Sequence, residues 1–356
     1  MIMSQLVRLA FYGMGRRRGS LVAALVLSAL VPTAAFSADG VIKIKLGTLA
    51  PNGTSYHKAL QSMGEKWRKA SEGKVQLTIF AGGTQGGEAD MVGLMQTGNL
   101  DAGMLTTGGL SEIDKGALAT QVMPMAFRSL DELNYVEEKL RPQLDARMLA
   151  KGYVVLFWSD SGWVRFFSKA PVTHPDDLRK LKVYCGSDSP EAADVWKASG
   201  FNPVSLEATG IPQGLLSGTI SAVPTVPIFA LATQLDGQAK YMLEINWGPL
   251  AGAAVVHKRT WDKIPASLRE EFLKIAAETG KQVCQAGRAE SDSAVAAMVK
   301  RGLVVQKVTP QVEAEWVDMI DKVQDRIRGK VVPADLFDEA QKLIKDYRAT
   351  KTAQAQ

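Results

Sequence analysis

Apolar and basic residues alternate along Val41-Ile42-Lys43-Ile44-Lys45-Leu46, the period of a half-buried strand. From Thr54 to Ala70 the period lengthens. Leu60, Met63 and Trp67 fall at i, i+3 and i+7 on one stripe, which predicts a helix capped by Thr54 or Ser55. Val75 to Phe80 reads as a second strand, Glu88 to Met95 as a helix and Asp101 to Leu105 as a short third strand. This βαβαβ rhythm predicts a mostly parallel sheet covered by helices.

The pattern restarts near the middle of the chain. Tyr153 to Trp158 and Val164 to Phe167 read as strands, and Asp176-Asp177-Leu178 turns into Leu181-Lys182-Val183-Tyr184. Helices are predicted over Pro190–Ser199 and Ile211–Leu216, with strands at Asn202–Leu206 and Ile220–Val223. A long helix then starts at Pro265, with Leu268, Phe272, Ile275, Ala276, Thr279 and Val283 on one face. Carried through to Arg301, with Gly280 and Gly287 as interruptions, it would be on the order of 54 Å long and could brace both units. A strand at Leu303–Val308 and helices at Val312–Arg328 and Ala334–Tyr347 complete the chain. The 356 residues suit about two domains, and without a low-complexity linker the two α/β units are expected to interleave.

Charge changes the picture only at the start. Of the net +5, four charges belong to Arg8 and Arg16–Arg18 within an acid-free first 37 residues, which leaves the remainder at +1. A basic nucleic-acid binder is therefore disfavoured. Those arginines, the short apolar run Leu21–Val31 and Ala35-Phe36-Ser37 have the three parts of a cleavable export signal over residues 1–37. The apolar run is too short for a stable membrane anchor, and no cysteine follows it to carry a lipid. After cleavage the chain should not span a membrane, and a periplasm is the expected compartment. There Cys185 and Cys284 could pair or remain two separately buried thiols.

Parts for catalysis are scarce. Gly82-Gly83-Thr84-Gln85-Gly86-Gly87 lacks the Lys-Ser/Thr ending of a phosphate loop and reads as a glycine-rich turn into a helix. His57, His174 and His257 have no metal-ligand spacing, and neither a GxSxG elbow nor a cysteine nucleophile signature is present. Aromatic and hydroxyl residues do collect at strand ends: Trp158, Trp163, Tyr184 and Trp247, with Thr106 and Thr107 after the third strand. Ligands of open α/β sheets bind beyond the carboxyl ends of strands, so these residues and His57 are cleft candidates.

Four stretches carry a family likeness: Leu46-Gly47-Thr48-Leu49-Ala50-Pro51 with His57 after it; Gly83–Glu88 with Gln96-Thr97-Gly98-Asn99-Leu100-Asp101; Ser168–Val172 with Pro175–Leu178 and Leu181–Val183; and Gly210–Ala222 followed by Pro227. In this order the chain resembles the extracytoplasmic (DctP-type) solute receptors of tripartite ATP-independent periplasmic (TRAP) transporters, over essentially residues 41–345. The resemblance implies a two-lobe periplasmic binding fold with interleaved lobes, a hinge cleft and a long bracing helix. It divides the chain into a signal at 1–37, lobe I at 38–161 with about 250–290 returning, lobe II at 162–249 with about 291–330 returning, and a C-terminal helix and tail at 331–356.

In such receptors an arginine just after the Leu-Lys strand clamps the ligand's carboxylate. Here that position is Tyr184. A second arginine often follows a glycine by two residues, which from Gly162 gives Val164, with Arg165 one residue late. That slip sends the side chain to the opposite face unless a bulge restores it. A frequent Asn or Gln falls at Thr225. The implied ligand-binding set is therefore Tyr184, Arg165, Thr106, Thr107, Thr225, Trp247, Trp163 and His57, with no catalytic residue, metal or cofactor. A carboxylate would be bound in a non-standard way, by Arg165, Lys182 or backbone amides; otherwise the solute is neutral or aromatic. The expected partners are a small solute and TRAP permease subunits, with no nucleic acid. The rival readings are a receptor for an ATP-driven transporter, a sensory subunit and an exported α/β enzyme.

Overall fold

The computed structural model describes residues 40–354 apart from 122, 188 and 189. The export signal expected over residues 1–37 lies outside the described residues. Strands β1 (Ile42–Thr48), β2 (Val75–Phe80), β3 (Ala102–Thr106) and β4 (Tyr153–Trp163) come first, with helices α1 (Ser55–Ala70), α2 (Glu88–Thr97), α3 (Thr107–Ser111) and α4 (Leu130–Ala150) among them. The middle holds β5 (Arg165–Ser168), α5 (Pro175–Arg179), β6 (Lys182–Gly186), α6 (Pro190–Ala198) and β7 (Asn202–Leu206). After these come α7 (Ile211–Ser217), β8 (Ala222–Thr225), α8 (Pro227–Ala232) and β9 (Tyr241–Glu244). The chain ends with β10 (Pro249–His257), α9 (Lys258–Trp261), α10 (Ala266–Lys300), β11 (Val304–Lys307), α11 (Pro310–Asp321), α12 (Gln324–Ile327) and α13 (Ala334–Gln354).

The strands form two sheets, one in each lobe. The first has the order β2-β1-β3-β10-β4 and the second β11-β9-β5-β8-β6-β7. The lobes interleave: β10 returns to the first sheet after the chain has laid down five strands of the second. Both sheets are mixed, where the rhythm predicted mostly parallel ones. β10 runs antiparallel to β3 and β4, and β5 antiparallel to β8 and β9. The reason is that β4 and β9 lead straight across into the other lobe, so β5 and β10 enter their sheets without a crossover helix to reverse them.

The two strand crossings hold each other. Val164 N–H donates to Gly248 O at 2.8 Å and Trp247 N–H to Val164 O at 3.3 Å. The third link is α10, a 35-residue helix about 52 Å long. Gly280 and Gly287 do not interrupt it. They lie seven residues apart on one face and let the helix approach β4, where a Cβ on Gly280 would stand 2.8 Å from Phe157 Cβ and one on Gly287 3.0 Å from Ser161 Cα. Phe272 and Ala276 of α10 join the core of the first lobe and Met298 that of the second.

The α1 stripe is fully buried, and Trp67 stacks on Phe272 with ring centroids 4.7 Å apart while its Nε1–H donates to Phe272 O at 3.2 Å. Thr54 caps α1 through Oγ1, which accepts from His57 N. The helix predicted over Val312–Arg328 is two, α11 ending at Asp321 and α12 starting at Gln324. Among the described residues no helix is long and apolar enough to cross a membrane.

Candidate functional site

A cleft of about 360 Å³ opens between the lobes, within the range that suits a small molecule. Its second-lobe wall is aromatic. Trp196 of α6 stacks on Trp247 at 5.4 Å and 26°, Phe201 leans on Trp196 at 5.4 Å, and Phe166 meets Trp247 edge-on at 5.0 Å from behind. Such pairs lock the rings against rotation and present apolar faces to whatever enters. Tyr184 and Phe229 extend this wall.

The first-lobe wall is polar and braced from within. Glu88 opens α2, and its carboxylate accepts from Thr106 N (2.7 Å), Thr106 Oγ1 (2.5 Å) and Gly109 N (3.1 Å). These bonds tie the start of α2 to the β3–α3 junction. The glycine stretch before it has Gly82, Gly83 and Gly86 at φ of +64°, +72° and +93°, a left-handed path closed to other residues without strain. Gly87 N–H already donates to Asp90 Oδ2 at 3.0 Å. The chain's own carboxylates thus occupy this helix start, in keeping with a turn rather than a phosphate cradle.

Gln121, which the sequence does not single out, also faces the cleft. Its Oε1 accepts from Thr107 Oγ1 at 2.7 Å and from Ala251 N at 3.1 Å. Lys115 of the first lobe reaches Glu191 of the second at 2.5 Å.

The charge of the lining is one-sided. Among the described residues that form the cleft, the carboxylic acids are Glu88 and Glu207, and no lysine or arginine takes part. Tyr184 stands in the wall where the family resemblance implies arginine.

The structure brings Tyr184, Thr106, Thr225 and Trp247 together on the cleft. Four other candidates lie elsewhere. Val164, not Arg165, is on the wall; successive residues of an extended chain point to opposite sides, and the register shift that β4 carries between Asp160 and Trp163 does not bring Arg165 round. The Arg165 guanidinium turns to Asn246 Oδ1, and burial holds its pKa below the usual arginine value, offset in part by Glu244 and Asp292. Thr107 is fully buried and spends its hydroxyl on Gln121. Trp163 packs against the first lobe's core, and His57 Nδ1 accepts from Gly53 N at 3.2 Å, closing the β1–α1 loop. Lys182, the other cation considered, is exposed and reaches Gly218 O at 3.3 Å.

Cys185 and Cys284 do not form a disulfide with each other. Cys185 lies on the cleft, whereas Cys284 on α10 accepts from Asp160 N at 3.4 Å, with burial pushing its thiol up to about 12. Of the lining residues missed in the sequence, Trp196 carried a usable signal, an aromatic on a helix directly after the Tyr184 strand. Gln121 carried none, because its partners, Thr107 and Ala251, come from two other segments distant in sequence.

The sequence profile of bacterial extracellular solute-binding protein family 7 (DctP) matches residues 46–330. The chain belongs to this family. It is a family of solute receptors, not of enzymes. A similar relative is the C4-dicarboxylate-binding periplasmic protein DctP of Rhodobacter capsulatus, 23% identical over 88% of this chain and 94% of that one. Among solved structures, the receptor resembles a TRAP periplasmic solute-binding protein from Citrobacter koseri with bound D-glucuronate. The TM-score is 0.77 and the identity 24%, covering 85% of this chain and 99% of that one. One from Ralstonia eutropha, with bound (S)-2-acetolactate, has a TM-score of 0.79 and 18% identity, covering 85% and 99%.

Proposed function

We propose that the receptor captures a small organic acid in the periplasm, after loss of its export signal, and delivers it to a TRAP-type permease without chemical change. The observation that carries this reading is the cleft itself, small enough for a single metabolite and walled by both lobes of a solute-receptor fold. The relatives' ligands, a C4-dicarboxylate, glucuronate and acetolactate, share a carboxylate. With no lining cation among the described residues, that carboxylate is held by neutral donors, which can stabilise the ionised form when several converge. The apolar remainder of the solute lies against Trp196 and Trp247. Sheet membership supports the lobe division read from the sequence, with about 250–290 returning to lobe I and about 291–330 to lobe II.

A second reading, an uncharged aromatic solute, is favoured by the same lack of a cation beside the stacked tryptophans. Native mass spectrometry of gently purified residues 38–356 tests both. A unique bound mass is the expected result, and its formula separates acid from neutral solute. A ligand at 100 times its Kd should add about 2.7 kcal/mol to stability in a thermal-shift assay. If no mass co-purifies, and no organic acid or neutral aromatic shifts the refolded protein, the receptor reading fails.

A further inference from the structure

We infer that Gln121 is the cleft's fixed hydrogen-bond donor, and that its side-chain NH2 group binds an acceptor oxygen, a carboxylate or carbonyl, on the solute. This rests on the receptor reading above and names the chemistry of recognition within it. A backbone N–H can only donate, so the Gln121 atom 3.1 Å from Ala251 N is the carbonyl oxygen. Thr107 Oγ1, on a fully buried residue, donates to that same oxygen at 2.7 Å. Two buried donors on β10 and α3 therefore fix the amide plane. The NH2 group is turned away from both and has no partner among the described residues, while Gln121 itself lines the cleft.

Preorganisation is what distinguishes this amide from an ordinary surface glutamine. A donor held in place by its own acceptor end loses little rotational freedom when a ligand arrives, so more of the new hydrogen bond is realised as affinity. The donor is also selective in sign. With Glu88 and Glu207 as the lining charges, an acceptor group on the solute needs a donor from the wall, and Gln121 supplies two N–H groups on one nitrogen. Thr225 stands on the opposite lobe and adds a hydroxyl. An acceptor oxygen held by both would link the lobes.

The test is Gln121→Glu. This variant keeps Oε1 as acceptor for Thr107 and Ala251 and replaces only the donor by a charged acceptor. The probe is the tightest binder in a library of aliphatic, hydroxy, keto and aromatic carboxylic acids with their primary amides, read by intrinsic tryptophan fluorescence and calorimetry on the full exported chain. For an acid probe, binding should weaken about 100-fold, since a charge-assisted hydrogen bond is lost and like charge is added. It should recover only as pH is lowered to about 4 or below, where the new carboxyl regains a proton to donate. A primary amide can present its own NH2 to the introduced carboxylate, so its loss should be no more than about tenfold. If the tightest probe is an amide, the acceptor is a neutral carbonyl.

For an acid probe, binding within threefold of wild type at an unchanged Tm would overturn the inference and leave the receptor reading standing. A wild-type protein that binds no member of the library overturns both. Gln121→Met provides the second variant. Loss of the acceptor should lower its Tm, and an affinity equal to wild type in the folded fraction would likewise refute the donor role.

Discussion

Arg288 of α10 holds Asp160 of β4 through two parallel hydrogen bonds, Nε to Oδ1 at 3.0 Å and Nη2 to Oδ2 at 2.5 Å. The Asp160 side chain is completely buried, and its Oδ1 also accepts from Gly162 N at 2.9 Å, just before β4 crosses to the second lobe. The pair fastens the long helix to the strand that becomes a hinge. Asp160→Ala strands the guanidinium beside a buried N–H and should cost about 3 kcal/mol, the low end for breaking a buried pair because Arg288 keeps some water. Urea unfolding checks this; a loss below about 1 kcal/mol would make the pair ornamental.

Glu137 lies next to this pair, and its Oε1 is buried without a partner. Burial, reinforced by the charge of Asp160 and opposed by Arg141 and Arg288, raises its pKa from 4.5 to about 8. Between those two values the folded protein keeps a proton that the unfolded chain has released. Stability should therefore fall as pH rises through this window, by at most about 1.4 kcal/mol per unit, and level off above about 8. Glu137→Gln should flatten this slope. The measurement is Tm of both proteins from pH 5 to 9, and parallel curves would refute the assignment.

Tyr184→Arg should put back the planar donor fork that family resemblance implies at this position. Binding of compact acids such as lactate and succinate should tighten by about tenfold or more, since hydrogen bonds to charged groups contribute about 1.5–3 kcal/mol. Aromatic solutes should bind more weakly, because the tyrosine face is lost. Calorimetry with both ligand types checks the shift, and unchanged selectivity would mean that residue 184 does not touch the solute.

Gly280→Ala should be destabilising although alanine is the better helix former. The added Cβ would stand 2.8 Å from Phe157 Cβ and 2.9 Å from its ring. Overpacking of this kind costs about 1–3 kcal/mol, more than the gain of roughly 1 kcal/mol in helix propensity. A higher Tm in thermal unfolding would show that α10 can lift from β4 at no cost.

Elements held by local pattern were readable from the sequence. The alternation in β1 leaves Lys43 and Lys45 exposed and Ile44 and Leu46 buried, and the α1 stripe of Leu60, Met63 and Trp67 is the buried face of that helix. Several elements escaped, α4 and β10 among them. Helix α4 contains Pro142, which reads as a break. Strand β10 is written Pro-Leu-Ala-Gly-Ala-Ala-Val-Val-His, poor in strand formers, because Gly252 must pass so close to Leu105 O that no side chain fits. Within the cleft, Tyr184 and Trp247 could be picked out as aromatics at strand ends. The tertiary contacts that turn Arg165 away to Asn246 and lock Gln121 could not, since neither partner is near in sequence.

A lining without a cation among the described residues also bears on how long a visitor stays. A desolvated ion pair imposes its own barrier to departure, whatever the surrounding walls do. Contact with Trp196, Trp247 and Tyr184 has no such threshold; it declines in proportion to the area uncovered as the walls part. If the proposed solute rests on these rings, its dwell time should be a property of the hinge, set by how often the paired crossings at Val164 and Gly248 open against α10. Such a receptor surrenders its cargo at the pace at which it opens.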